Sequence, residues 1–77
     1  MSKNNHELEL KKIGLNIAYY RKLKGISQIQ LAEDAQISRT HLFNIKAPNV
    51  PTQISIETLL DIAKALDITP DNLLIFR

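Results

Sequence analysis

Cysteine is missing from this chain, so neither a disulfide nor a thiolate metal site can hold it together. That composition suits a reducing compartment such as the cytoplasm. The longest apolar run, Leu73-Leu74-Ile75-Phe76, is far too short for a bilayer, which takes about 20 residues. The opening Met1-Ser2-Lys3-Asn4-Asn5 has no apolar segment behind it, which argues against a secretory leader. The two histidines, His6 and His41, stand far apart and have no metal-ligand spacing. There is no glycine-rich phosphate loop and no nucleophile constellation, and Asp61 and Asp67 make no credible acid–base pair. No enzyme, metal, cofactor or small-molecule ligand is expected.

What is present fits one domain over residues 1–77, near the lower size at which a single core suffices without staples. Net charge is only +2, but its distribution is uneven. From Leu10 to Ala32 the chain carries Lys11, Lys12, Arg21, Lys22 and Lys24 and no acid. From Ala35 to Ile56 it carries Arg39, His41 and Lys46, again with no acid. Carboxylates gather at Glu7 and Glu9, at Glu33 and Asp34, and at Glu57, Asp61, Asp67 and Asp71. A basic first two-thirds and an acidic last third point to a polyanion on one side of the molecule.

One short pattern recurs four times: isoleucine, a hydroxyl residue, three variable positions, leucine. The copies are Ile26-Ser27 to Leu31, Ile37-Ser38 to Leu42, Ile54-Ser55 to Leu59 and Ile68-Thr69 to Leu73. Each reads as a helix start, in which the hydroxyl oxygen accepts a bond from a first-turn N–H. The isoleucine before it packs on the leucine as a hydrophobic staple. Between Ser27 and Ser38 there is room for about two helical turns and a tight turn. Two helices joined so abruptly must cross steeply, as in a helix-turn-helix.

Five helices are expected, over about 6–24, 28–35, 39–46, 56–66 and 70–75, with no strand. In the first, Leu10, Ile13, Ile17 and Tyr20 share a face, and Tyr19 lies at the surface. Gly25 offers a left-handed end, and Gly14 marks close approach of a neighbouring helix. Ser27 and Gln30 spell a Ser-x-x-Gln capping box, with Leu31 and Ala35 inward and Ala32 at a helix crossing. The third helix buries Leu42 and Ile45 and stops before Pro48. The fourth carries Ile56, Leu59, Leu60, Ala63 and Leu66 on one stripe. Thr69-Pro70 opens the last.

A helix laid across the front of such a domain enters a DNA major groove with its N-terminal residues at base edges. The side chains on offer suit this. Arg39 is able to bond a guanine bidentately, Asn44 an adenine, and the Thr40 methyl to touch a thymine methyl. Ser27 and Gln28, at the start of the second helix, are placed to grip a phosphate. His41 reads equally as a surface histidine or a further reader. Lys46 lies near the end of the third helix, where a cation suits the dipole and the path of the phosphates.

The stretch from Ile17 to Ala32, IAYYRKLKGISQIQLA, resembles the opening of phage-repressor and Cro-like helix-turn-helix domains, the XRE family. Ile37 to Ile45 resembles that family's turn and recognition helix, and Ile56 to Leu66 its fourth helix. The resemblance implies a compact, all-α, five-helix lambda-repressor-like fold and sequence-specific transcriptional control, commonly as a homodimer on a palindromic operator. Carried over by position, Arg21, Gln28 and Ser38 would make phosphate or near-backbone contacts, and Arg39, Thr40 and Asn44 would read bases. Three residues depart from the pattern. Gln36 stands where the turn usually has glycine, which requires a left-handed conformation of it. The loop before the fourth helix is about two residues longer than common members have, with Pro48 where glycine is frequent. Lys46 replaces an acid that in resembling proteins pairs with the arginine matching Arg21. A dimer surface is expected at Leu74, Ile75 and Phe76, with Ile62 beside it, because four successive apolar residues cannot all point inward on one short terminal helix. The competing reading is a protein-interaction module of the same fold, such as an antitoxin or adaptor.

Overall fold

The structure, a computed structural model, describes residues 6–46 and 54–75, the side chains of 43–46 excepted. Four α-helices follow one another, α1 (Glu7–Lys24), α2 (Gln28–Ala35), α3 (Arg39–Lys46) and α4 (Ile56–Ala65), and a 3-10 turn (Pro70–Leu73) closes the chain. Among the described residues there is no strand. The segment 47–53, with its two prolines, and Phe76 lie outside the described residues, as do the side chains of Asn44, Ile45 and Lys46.

The serines do what their spacing implies. The hydroxyl oxygens of Ser27, Ser38 and Ser55 accept from the backbone N–H of Gln30, His41 and Thr58 at 3.0–3.1 Å. The isoleucines before them, Ile26, Ile37 and Ile54, and Ile68 as well, pack half-buried against the core. The matching leucines Leu31, Leu42, Leu59 and Leu73 are all buried. One half of the expected capping box is not made: the Gln30 amide donates to the Asp34 carboxylate at 2.8 Å instead of returning to Ser27. A neighbour one turn along offers a charged acceptor, and charge-assisted hydrogen bonds are the stronger kind.

The helix ends repeat as faithfully as the starts. Gly25, Gln36 and Asp67 adopt φ of 80°, 59° and 59°. Behind them the N–H groups of Ile26, Ile37 and Ile68 reach back to the carbonyls of Arg21, Ala32 and Ala63 at 3.0–3.3 Å. Those bonds, with Gly25, Gln36 and Asp67 donating to Lys22, Glu33 and Lys64, make three Schellman motifs. Each of these isoleucines therefore ends one helix and staples the next. Gln36 takes the left-handed conformation that its place in the turn requires.

The last element differs from expectation. It is a four-residue 3-10 turn, not an α-helix, so the five-helix count becomes four. The Thr69 hydroxyl accepts from the Asn72 side chain at 3.0 Å and caps no backbone N–H. So short a segment falls below the length at which an α-helix repays its nucleation. Leu73, fully buried, anchors it, and Asn16 of α1 ties it down by donating to the carbonyls of Leu73 and Ile75 at 3.0 and 2.9 Å.

The core is Ile13 and Ile17 of α1, Leu31, Ala32 and Ala35 of α2, Leu42 of α3, and Leu59, Ile62, Ala63 and Leu66 of α4 with its end, closed by Leu73. Among the described residues no polar or charged side chain is fully buried. The fourth helix is rotated from the expected stripe. Ile56 is 72% and Leu60 47% exposed, whereas Ile62 is at 0%. Leu60 lies about 100° around the axis from Leu59, off the buried arc that Ile62 joins. Ile56 sits in the first turn, where side chains lean toward the helix start and overhang the packing partner. Ile62 is thus a core residue, and its expected place in a dimer surface is corrected: a fully buried side chain has no area to offer a partner.

Candidate nucleic-acid interface

Two helix N-termini meet on one side of the molecule. The Schellman turn at Gln36 brings the start of α3 beside the start of α2. A cleft of about 370 Å³ opens there, lined by Gln28 and Ile29 from α2 and Arg39 and Thr40 from α3. All four side chains are exposed. Ser27 and Ser38 cap the two helices, so the hydroxyl oxygens are engaged locally while first-turn N–H groups beyond the cap remain directed outward. Both helices direct the positive ends of their dipoles toward this side. Helix starts, a guanidinium, an amide and a hydroxyl on one concave surface form an arrangement suited to anionic ligands with hydrogen-bonding edges.

The expected site residues divide accordingly. Gln28, Arg39 and Thr40 come together in the cleft, with Ser27 and Ser38 immediately preceding. His41 is half-buried, one position further into α3. Asn44 and Lys46 occupy the later turns of α3, with their side chains outside the described residues. Arg21 is not part of the cleft lining. It is half-buried, and its Nη1 donates to the Ile26 carbonyl at 2.7 Å, bracing the turn that leads into Ser27. Its Nε is buried and has no hydrogen-bond partner among the described residues. Leu74 and Ile75 are 47% and 45% exposed.

Sequence reasoning did not single out Ile29. The signal was available: it falls out of phase with Leu31, Ala32 and Ala35, the residues that bury α2. Among the described residues no group of three or more His, Cys, Asp or Glu side chains is placed to hold a metal ion. Among them, too, no helix is long and apolar enough to cross a membrane.

Residues 17–73 match the family model described as helix-turn-helix, HTH_3. The chain belongs to this helix-turn-helix family. The match starts within α1 and ends with the buried Leu73, so it takes in both helix starts at the cleft. The family, of XRE type, is one of DNA-binding regulators, which is not an enzyme class. The transcriptional regulator SinR of Bacillus subtilis is 39% identical over 62 residues, which is 80% of this chain and 55% of SinR. SinR of Bacillus licheniformis matches to the same extent. The helix-turn-helix chain thus spans about half the length of these relatives. In three dimensions it resembles the restriction-modification controller protein C.AhdI of Aeromonas hydrophila, with a TM-score of 0.79 and 30% identity, over 86% of this chain and 97% of that one. It also resembles SinR, described as a master regulator for biofilm formation and solved in complex with DNA. That likeness has a TM-score of 0.75 and 38% identity, over 82% of this chain and 98% of the SinR chain.

Proposed function

We propose that this chain is the DNA-binding part of a transcriptional regulator, acting in the cytoplasm as a repressor. In this reading α3 lies in the major groove of an operator. Arg39, Thr40 and Asn44 read bases, with His41 beside them. Ser27, Gln28, Ser38 and Lys46 border the phosphates, and Arg21 supports them by holding the turn before Ser27. The observation that carries the reading is the shared cleft at the starts of α2 and α3, with Gln28, Arg39 and Thr40 exposed in it. The helix-turn-helix family membership agrees with it.

Two copies acting through a twofold axis would read two half-sites about one helical turn of DNA apart. The exposed Leu74 and Ile75, with Phe76 following, form the proposed contact between copies.

Selection of bound duplexes from a random library tests the whole reading. The expected result is one enriched palindromic motif whose affinity falls steeply with salt, because each phosphate contact releases counterions. Failure to enrich any motif would overturn it. The second reading, an antitoxin-like or adaptor module, is favoured by the outer side of α1, where Leu8, Leu15, Tyr19 and Leu23 are exposed. Docking on those residues would depend little on salt, so the same titration separates the two.

A further inference from the structure

The four described residues of the cleft are of two kinds. Gln28 and Arg39 bring an amide and a guanidinium, whereas Ile29 and Thr40 bring methyl groups. Ile29 is the second residue of α2 and is 48% exposed. An isoleucine there contributes nothing to the cap, loses side-chain freedom in the helix and leaves apolar surface in water. One exposed isoleucine on a protein surface would need no explanation. Its location is what sets this one apart: it shares a concavity with two residues proposed to reach base edges.

Of the groups that the four base pairs display in the major groove, the thymine C5-methyl is the apolar one. We propose that Ile29, together with the Thr40 methyl, receives a thymine methyl group, which makes Ile29 a specificity-determining residue located on α2, outside the recognition helix. The inference rests on the DNA-binding reading given above. It adds that one position of each half-site is read by apolar contact, while Arg39 reads a neighbouring position by hydrogen bonds. Cytosine, with only hydrogen at C5, would be disfavoured at that position even though its ring has the same size.

Uracil substitution isolates this contact, since it removes the methyl and leaves every hydrogen-bonding edge of thymine in place. The full chain would be titrated against its best selected duplex and against duplexes with a single deoxyuridine at each thymine in turn. Replacement at one thymine per half-site should weaken wild-type binding about fourfold, the worth of one buried methyl-sized group. Ile29→Ala should lose most of the thymine–uracil difference at that position and keep the wild-type response at every other position. If Ile29→Ala retains the full wild-type thymine–uracil profile, the inference is overturned and the DNA reading stands. The same holds if wild type is indifferent to uracil everywhere. If the library yields no enriched duplex, the DNA-binding reading itself fails and the inference with it.

Discussion

Arg21 directs one guanidinium nitrogen at the Ile26 carbonyl and leaves its Nε buried without a partner among the described residues. Arg39, in contrast, is exposed at the cleft. The two arginines therefore separate into a support and a proposed reader. Arg39→Ala should cost about 1–3 kcal/mol on the best operator and relax preference at one base position. Competition binding against single-base operator variants measures both, and unchanged affinity with unchanged preference would reject the assignment. Backbone strain is also a residue-scale matter. Gln36 and Asp67 are the non-glycine residues held at positive φ among the described ones. Aspartate tolerates that region better than glutamine, whose side chain gives no local hydrogen bond in return. Gln36→Gly should therefore raise stability by about 0.5–1 kcal/mol, and Asp67→Gly by less. Urea melts of the two variants give the comparison, and equal gains would show that the side chain at 36 is not the source of strain. At Gly25, which shares this conformation, an added Cβ would meet nothing within 4 Å, so the cost of Gly25→Ala is conformational and not steric.

At the scale of elements, the helices are joined at their ends by a few polar ties that cross between them. Lys24, in the last turn of α1, donates to the Ala65 carbonyl at the end of α4 at 2.9 Å, where a cation also complements the dipole. Asn16 holds the terminal 3-10 turn through two carbonyls. Asn16→Ala removes both bonds but gains helix propensity, so the net cost should be about 1 kcal/mol. Hydrogen exchange should quicken at the Asn72 and Leu74 amides well before the rest of the molecule. Uniform quickening would mean that the turn is not a separate unit. The junction of α1 with α3 carries another expectation. In resembling proteins an acid at the position of Lys46 pairs with the arginine matching Arg21, whereas here both positions are cationic. Supplying the acid should offer the Arg21 guanidinium, bonded through Nη1 to the Ile26 carbonyl, a charged partner. Lys46→Glu should stabilise the domain by about 0.5–1 kcal/mol, in the range of partly exposed ion pairs. It should also weaken DNA binding and flatten the salt slope by about one unit. Destabilisation in urea would show that Arg21 is satisfied without it.

For the molecule as a whole, the question is one of assembly. A single helix-turn-helix reads a short half-site, and two copies on one operator multiply its specificity. With Ile62 in the core, the proposed contact narrows to Leu74, Ile75 and Phe76. Ile75→Glu places a charge in that contact and leaves the buried Leu73 untouched. Sedimentation should show a dimer for wild type and a shift toward monomer for the variant. A wild-type monomer at high micromolar concentration would reject this contact surface.

The helix starts were legible in the sequence because capping is local: Ser27, Ser38 and Ser55 each meet an N–H three residues on. The all-α class, the helix-turn-helix spacing and most of the core followed from the same short-range rules, and the left-handed Gln36 from the family resemblance. Other features depend on what lies across the fold, and no spacing along the chain states it. The packing of α2 and the 3-10 turn against α4 selected Ile62 over Leu60 for the core, because a helical stripe is broad enough to be turned either way. Leu73 and Asn16 decided that the last segment is a tethered 3-10 turn. The cleft itself, with Ile29 opposite Arg39 and Thr40, exists only once the turn at Gln36 sets α3 beside α2. Local hydrogen bonds were thus written in the chain, whereas shared surfaces between helices were decided by how the helices pack.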